Sequence, residues 1–299
     1  MIDGDILTGT SFFIKFTPED IAVMAEKLSV RTVAKNDTII KQGEAARELF
    51  LVKQGQSKML LDLRAGYDLS LNYIRQNECF GEMVILNEST SSVTVVAEKD
   101  VELFVLDRNS FLDIIENHPG TALVLLKAIG RSLSIRLRLL NIGFSSIPES
   151  RRTLPADDPD VIRAKDVERE MFNLLGKIGD LMTVPTGEAI IKEYGFDRDL
   201  FVIEGGTVEI TKSLHGEGRI SLAVLGPGHV LGEMSFFDKQ YRSAEVRARE
   251  TVTACIIRKN HIQDLAGTDL SQLNRIFLAI LRNLSLKLRL TIKHYLSTE

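Results

Sequence analysis

The sequence predicts two tandem copies of one mainly β unit, each with helices at both ends. Three observations lead there. Strand-like apolar runs are punctuated by Gly43, Gly55 and Gly66, the rhythm of an all-β barrel or sandwich. Segments with helical apolar spacing bracket those runs. The whole pattern then repeats at a fixed offset. Ile39-Ile40-Lys41 returns as Ile190-Ile191-Lys192, and Leu49-Phe50-Leu51-Val52 as Leu200-Phe201-Val202-Ile203. Gly55 matches Gly206, Gly81-Glu82-Met83 matches Gly232-Glu233-Met234, and Leu137-Arg138-Leu139 matches Leu288-Arg289-Leu290, every pair 151 positions apart. One offset held over such a length marks a duplication.

Taken in order, Thr17-Pro18-Glu19-Asp20 opens the first helix, with Thr17 as N-cap, Pro18 at the first helical position and carboxylates in the first turn. Ile21, Met24, Ala25 and Leu28 keep helical spacing behind it. Strands are expected at 38–40, 49–52, 57–63, 93–97 and 101–106, with Phe80-Gly81-Glu82 interrupting. Helices then return. Asn141 to Asp160 carries Pro148, Pro155 and Pro159 and reads as a linker, since proline at that density excludes continuous helix. A charged helix is expected from about Val161 to Leu181, followed by the second set of strands. Leu270 to Leu296 closes the chain as an amphipathic helix, with Leu273, Phe277, Ile280, Leu281, Leu284, Leu288 and Ile292 near one face. The expected division is a first domain at 1–140, a linker at 141–160 and a second domain at 161–299.

Bulk properties narrow the function. The 299 residues are 44% hydrophobic and 26% charged, ample for two cores. A net charge of −4 gives no reason to expect nucleic acid as a partner. The start, MIDGDILTGTS, has no apolar signal core, and no run approaches the ~20 apolar residues of a membrane span, so no membrane is expected and the chain reads as cytoplasmic. Cys79 and Cys255 read as buried free thiols. The five histidines are scattered, no metal-ligand spacing occurs, and no P-loop, kinase loop or nucleophile elbow is present. No enzyme and no metal are expected.

The stretch from Val230 to Ala248 holds the chemistry. Gly232-Glu233-Met234-Ser235 is a turn of the kind that aims backbone N–H groups at an anion such as phosphate. Arg242 supplies a planar cationic fork for the same anion. Glu233 repels phosphate but accepts from a sugar hydroxyl, so together they read as a nucleotide monophosphate site. Plainer roles stand beside these: Arg242 pairing with Glu233 or Asp238 on the surface, and Glu233 capping the turn. Met234, Phe236 and Phe237 read as core, and Val224, Leu225 and Val230 as lining for sugar and base. The first copy keeps Gly81 and Glu82 but has Ser91 and Ser92 where Arg242 and Ser243 stand. It reads as degenerate, because a phosphate without a cation partner is costly to desolvate. A hydroxyl-lined pocket for a less anionic ligand is the other reading.

The Gly-Glu turn, short helix and Arg-Ser-Ala strand entry resemble the phosphate-binding cassette of the cyclic-nucleotide-binding domain family, which includes the bacterial catabolite activator protein and the regulatory subunit of cyclic AMP-dependent protein kinase. The resemblance covers roughly residues 10–140 and 165–297; Tyr241 stands where the family usually has proline. It implies two tandem double-stranded β-helix, or jelly-roll, barrels. It also implies that Glu233 holds the ribose 2′-hydroxyl and Arg242 the cyclic phosphate, with Gly232, Met234, Ser235 and Ser243 adding backbone or hydroxyl contacts. The implied ligand is a cyclic nucleotide, cAMP in preference to cGMP, with no further cofactor. The terminal helix would dimerise the chain and close over the base, where Ser285 or a neighbour would meet a purine. Function would then be sensing, with the helix shift controlling an unidentified protein partner. A nucleotide-free scaffold that keeps the fold, and a sensor of a cyclic dinucleotide, are the alternatives.

Overall fold

The computed structural model describes residues 2–63, 67–144, 155, 157–214 and 218–297. It divides into two units, Met1–Ser132 and Leu133–Glu299. In the first, α1 (Gly4–Thr8) and α2 (Pro18–Lys27) precede β1 (Ser29–Val33), β2 (Thr38–Ile40), β3 (Glu48–Gln54), β4 (Gln56–Leu63), β5 (Tyr67–Arg75) and β6 (Cys79–Phe80). The short α3 (Glu82–Asn87), β7 (Thr94–Ala97), β8 (Val101–Asp107) and α4 (Arg108–Asn117) follow, and the long α5 (Pro119–Phe144) has its first part in this unit and the rest, from Leu133, in the second. The second unit repeats the series: α6 (Pro159–Leu175), β9 (Asp180–Val184), β10 (Ala189–Ile191), β11 (Leu200–Gly205), β12 (Val208–Leu214), β13 (Gly218–Leu225) and β14 (Val230–Leu231). Then come α7 (Glu233–Asp238), β15 (Glu245–Ala248), β16 (Val252–Ile257), α8 (Lys259–Thr268) and α9 (Leu270–Ser297).

Each unit is a jelly roll of two four-stranded antiparallel sheets. The orders are β1-β8-β3-β6 and β2-β7-β4-β5 in the first unit, and β9-β16-β11-β14 and β10-β15-β12-β13 in the second. The duplication reaches the irregularities. Register shifts at Thr38/Ile40, Val52/Gln54 and Met59/Leu60 return at Ala189/Ile191, Ile203/Gly205 and Ile210/Thr211. Bulges bend a strand at a fixed place, so they are inherited with the barrel's curvature. Between the sheets of the second unit, Phe201, Ile203, Val208, Leu231, Val246 and Ile256 are core. Burial of such a side chain contributes about 1.5–3 kcal/mol.

The α2 start matches its sequence signature as a capping box: the Asp20 N–H donates to Thr17 Oγ1 (3.2 Å) and the Thr17 N–H to Asp20 Oδ2 (2.9 Å). Two expectations change. The second-unit helix begins at Pro159, with Asp158 as its cap, and ends at Leu175, whereas the sequence suggested Val161 to Leu181. Proline at the first helical position starts a helix rather than excluding it. Beyond Leu175 the chain turns through Gly179, where a Cβ would lie 2.6 Å from the Ile256 carbonyl oxygen, and Leu181 belongs to β9. Strands β5 and β13, absent from the sequence expectations, are the hairpin partners of β4 and β12. Most of the expected linker, residues 145–154 and 156, lies outside the described residues, as does His215. Cys79 and Cys255 are buried free thiols, and burial pushes the Cys255 thiol up. No helix among the described residues is long and apolar enough to cross a membrane, and none of their His, Cys, Asp and Glu side chains group as a metal site.

Candidate functional site

The cassette of each unit starts from a left-handed glycine. Gly81 (φ 85°) and Gly232 (φ 90°) take a conformation that a Cβ disfavours, and each lets the chain turn from a strand directly into a short helix. At Gly232 the constraint is also spatial: a Cβ would lie 2.6 Å from the Asp199 carbonyl oxygen and would strike the Arg242 guanidinium.

Arg242 is therefore not an exposed fork waiting at the mouth of a site. It is 2% exposed, and its donors are all engaged within the second unit. Nε donates to Asp197 Oδ1 at 3.1 Å, and Nη2 donates to the same oxygen and to the Asp199 carbonyl oxygen at 2.6 Å. Nη1 donates to the Gly232 carbonyl oxygen and to Ser235 Oγ, both at 2.9 Å. Its ion-pair partner is Asp197, in the loop between β10 and β11. Neither Glu233 nor Asp238, the partners considered from sequence, fills that role. Sequence position could not show this, because the pairing spans 45 residues and depends on how that loop folds over the cassette. Burial pushes the neighbouring Asp199 carboxyl up, and the negative Asp197 adds to that shift.

Glu233 is also buried and also occupied. Its Oε1 accepts from Lys287 Nζ of α9 at 2.6 Å, and the same ammonium reaches the Val230 carbonyl oxygen at 3.3 Å. The plainer reading of Glu233 as a cap for the turn is thus replaced by a link to the terminal helix. At the other end of α7, Asp238 has no exposed side-chain surface and binds Arg138, which lies in the part of α5 belonging to this unit. Both acids of the cassette helix are therefore held by helix-borne cations. Ser235 is buried, Ser243 is half-buried with Oγ 4.0 Å from the Met234 sulfur, and Phe237 packs edge-on against Phe277 as core. Val230 is buried, but Val224 is exposed on β13.

Helix α9 also departs from one expectation. Leu273, Phe277, Ile280, Leu281, Leu284, Leu288 and Ile292 are all buried within the unit. The apolar face assigned to dimerisation is thus buried, and α9 packs against α6, α8 and α7. Ser285 is buried too, and Lys287 is the α9 residue that binds Glu233. Further along, Arg289 and Lys293 bind Asp160 and Asp158 at the start of α6.

The first unit keeps the backbone and Glu82 but lacks the charges of the Arg242–Asp197 pair. Ser91 is buried, and its hydroxyl donates to the Val93 carbonyl oxygen at 2.7 Å. Ser92 is half-buried and Glu82 buried. At the offset of 151, Ala46 stands for Asp197, Val84 for Ser235 and Ser91 for Arg242. The side-chain network is absent as a set. A cavity of about 560 Å³ opens beside Ala46, lined among others by Lys41, Glu48, Asp107 and Arg108 and by no residue of the 81–92 cassette.

Comparison with known proteins fits this geometry. The family profile described as "Cyclic nucleotide-binding domain" matches residues 30–118 and 181–269, segments displaced by the same 151 positions. The chain belongs to the cyclic nucleotide-binding domain family and carries two such domains in tandem. It is similar to human cGMP-dependent protein kinase 2, 26% identical over 254 residues, which covers 85% of this chain and 29% of that protein. It is similar as well to the cAMP-dependent protein kinase regulatory subunit of Eremothecium gossypii, 25% identical, covering 85% of this chain and 48% of that one. The chain thus spans less than half the length of these curated relatives. Among solved structures, the regulatory domain of Toxoplasma gondii PKA with cAMP matches at 15% identity and TM-score 0.35, covering 90% of this chain and 92% of that one.

Proposed function

We propose that the second unit is a cyclic-nucleotide sensor in which ligand competes with the protein's own charges. The observation that carries this reading is that Arg242 and Glu233 are each held by a partner from another element, Asp197 on a loop and Lys287 on the terminal helix. A cyclic phosphate would draw Arg242 donors from Asp197, whose carboxylate is half-exposed and readily rehydrated. A ribose hydroxyl would share Glu233 with Lys287, altering the hold on α9. Ligand binding would then shift the helix because it contacts the two states differently. The helix would in turn regulate a protein partner, such as a kinase catalytic domain; cAMP is the expected ligand before cGMP, and the first unit is expected to stay empty.

A specific observation favours the scaffold reading as well: five donors of Arg242 already satisfied leave a complete structure without ligand. Calorimetric titration with cAMP and cGMP separates them. The sensor reading expects one site per chain, tighter in Lys287→Met, where Glu233 is released for the ribose. Absence of heat up to millimolar ligand, in both the native chain and Lys287→Met, sinks it.

A further inference from the structure

Beside Arg242, two loops meet on a backbone frame that both units share. Tyr194 N–H donates to the Arg242 carbonyl oxygen and Arg242 N–H to that of Gly195, each at 3.0 Å. In the first unit Gly43 N–H and Ser91 N–H make the corresponding bonds to Ser91 and Glu44 at 2.9 Å. The side chains on this frame differ. The first unit carries Gly43, Ala45 and Thr90; the second carries Tyr194, Phe196 and Tyr241, exposed by 59%, 74% and 51%. The Phe196 and Tyr241 rings sit 4.3 Å apart at 54°, forming a ridge rather than a slot. Tyr194 also holds a left-handed backbone (φ 63°) where the first unit uses glycine, so an exposed aromatic is retained at a position that penalises any Cβ. The fold needs none of the three rings, since the same loops close without them.

The charges around the ridge are uneven. Lys192 and Arg198 are exposed, and among the described residues neither side chain has an ion pair. The neighbouring carboxylates are already spent, Glu193 on Ser213 and Arg219, Asp197 on Arg242. We propose that this ridge is a protein-docking surface whose partner presents an apolar anchor flanked by carboxylates. Exposed tyrosine and phenylalanine beside arginine is the composition of interface hot spots. A nucleic-acid strand fits less well, because its phosphates would need a track of cations and would run past Asp197 and Glu193. Docking itself stands without the sensor reading; its regulation rests on that reading, because one loop of the ridge carries Arg242 and the other clamps it.

The test is a selection of displayed random peptides of roughly ten residues on the full chain, followed by fluorescence anisotropy with the enriched sequences. Enrichment of an aliphatic or aromatic anchor with acidic flanks is expected. Affinity should fall more than about tenfold in Phe196→Ser and Tyr241→Ser. It should fall less in Lys192→Glu and Arg198→Glu, and stay unchanged in Ala45→Ser of the first unit. The proposal is overturned by no enrichment, by peptides without acidic flanks, or by binding that survives Phe196→Ser. Oligo-dT, phosphatidylserine vesicles and sedimentation of the chain alone form the other arms. A Phe196-dependent response confined to one of these would replace the peptide partner by nucleic acid, membrane or a second copy. Adding cAMP to the peptide assay tests regulation separately, since docking can persist where cAMP has no effect.

Discussion

The two cassettes differ in what closes them. In the first unit the turn after α3 is fastened by backbone, by the Ser91 hydroxyl to Val93, and by Arg108 of α4, which donates to the Ile85 carbonyl oxygen and pairs with Glu88. In the second it is fastened by a buried guanidinium with its five donors placed, and α7 is gripped at both ends by Lys287 and Arg138. Both solutions sit on one backbone, with left-handed glycines at Gly55 and Gly81 matched by Gly206 and Gly232, and with the same bulges. Barrel geometry has therefore been held fixed while the polar network changed as a set: Asp197, Ser235 and Arg242 against Ala46, Val84 and Ser91. The physical reason is the cost of partial loss. An unpaired buried charge is worse than no charge, so the members of such a network are kept or given up together.

The comparison breaks first at Arg242. Arg242→Ala should cost about 2–4 kcal/mol in urea unfolding, because the Gly232 and Asp199 carbonyl groups lose their donor while the half-exposed Asp197 is rehydrated. Ser91→Ala should cost about 1 kcal/mol, the loss of one hydrogen bond. Equal losses would show that the asymmetry is not energetic.

A smaller effect separates the units by pH. Burial pushes the Asp160 carboxyl up, but Lys293 and Arg289 more than reverse this and leave it below its ordinary value of 3.8. A carboxyl lowered in the folded state adds stability above its ordinary value, and that stability is lost as pH falls through the lower folded value. Acidification below about pH 4 should therefore loosen the α6–α9 contact of the second unit. Hydrogen exchange of α9 at pH 3 and 6 would read it, and Asp160→Asn should remove most of the difference. Protection of α9 that is unchanged between the two pH values counts against this role for Asp160.

The smallest effect is a reconstruction. Ser91→Arg alone should destabilise the first unit, and adding Ala46→Asp and Val84→Ser should recover part of the loss. A coupling of about 0.5–3 kcal/mol in the mutant cycle is expected for side chains in one network. Strict additivity would mean that the second-unit network is not a cooperative set.

Much of this was legible in sequence. The offset of 151, the glycines and the strand rhythm gave the duplicated barrel, and the Ser91/Arg242 difference gave the asymmetry. Asp197 and Lys287 were missed as site residues, though the offset carried a signal for the first: Ala46 replaces Asp197 together with the arginine. Lys287 offered no such contrast, because Arg136 keeps a cation at that position. The end of α6 was misplaced because a charged, leucine-bearing run continues past Gly176, and what stops it is the close approach of Gly179 to β16.

What the sequence determined by itself was whatever repeats or is local: the fold, its duplication, the helix caps and the loss of a cation from one copy. Periodicity and turn chemistry act between near neighbours, so they can be read along the chain. Tertiary structure alone decided the state of the surviving site. Arg242 meets Asp197 across 45 positions and Glu233 meets Lys287 across 54, and such partners are chosen by how loops and helices pack over the barrel.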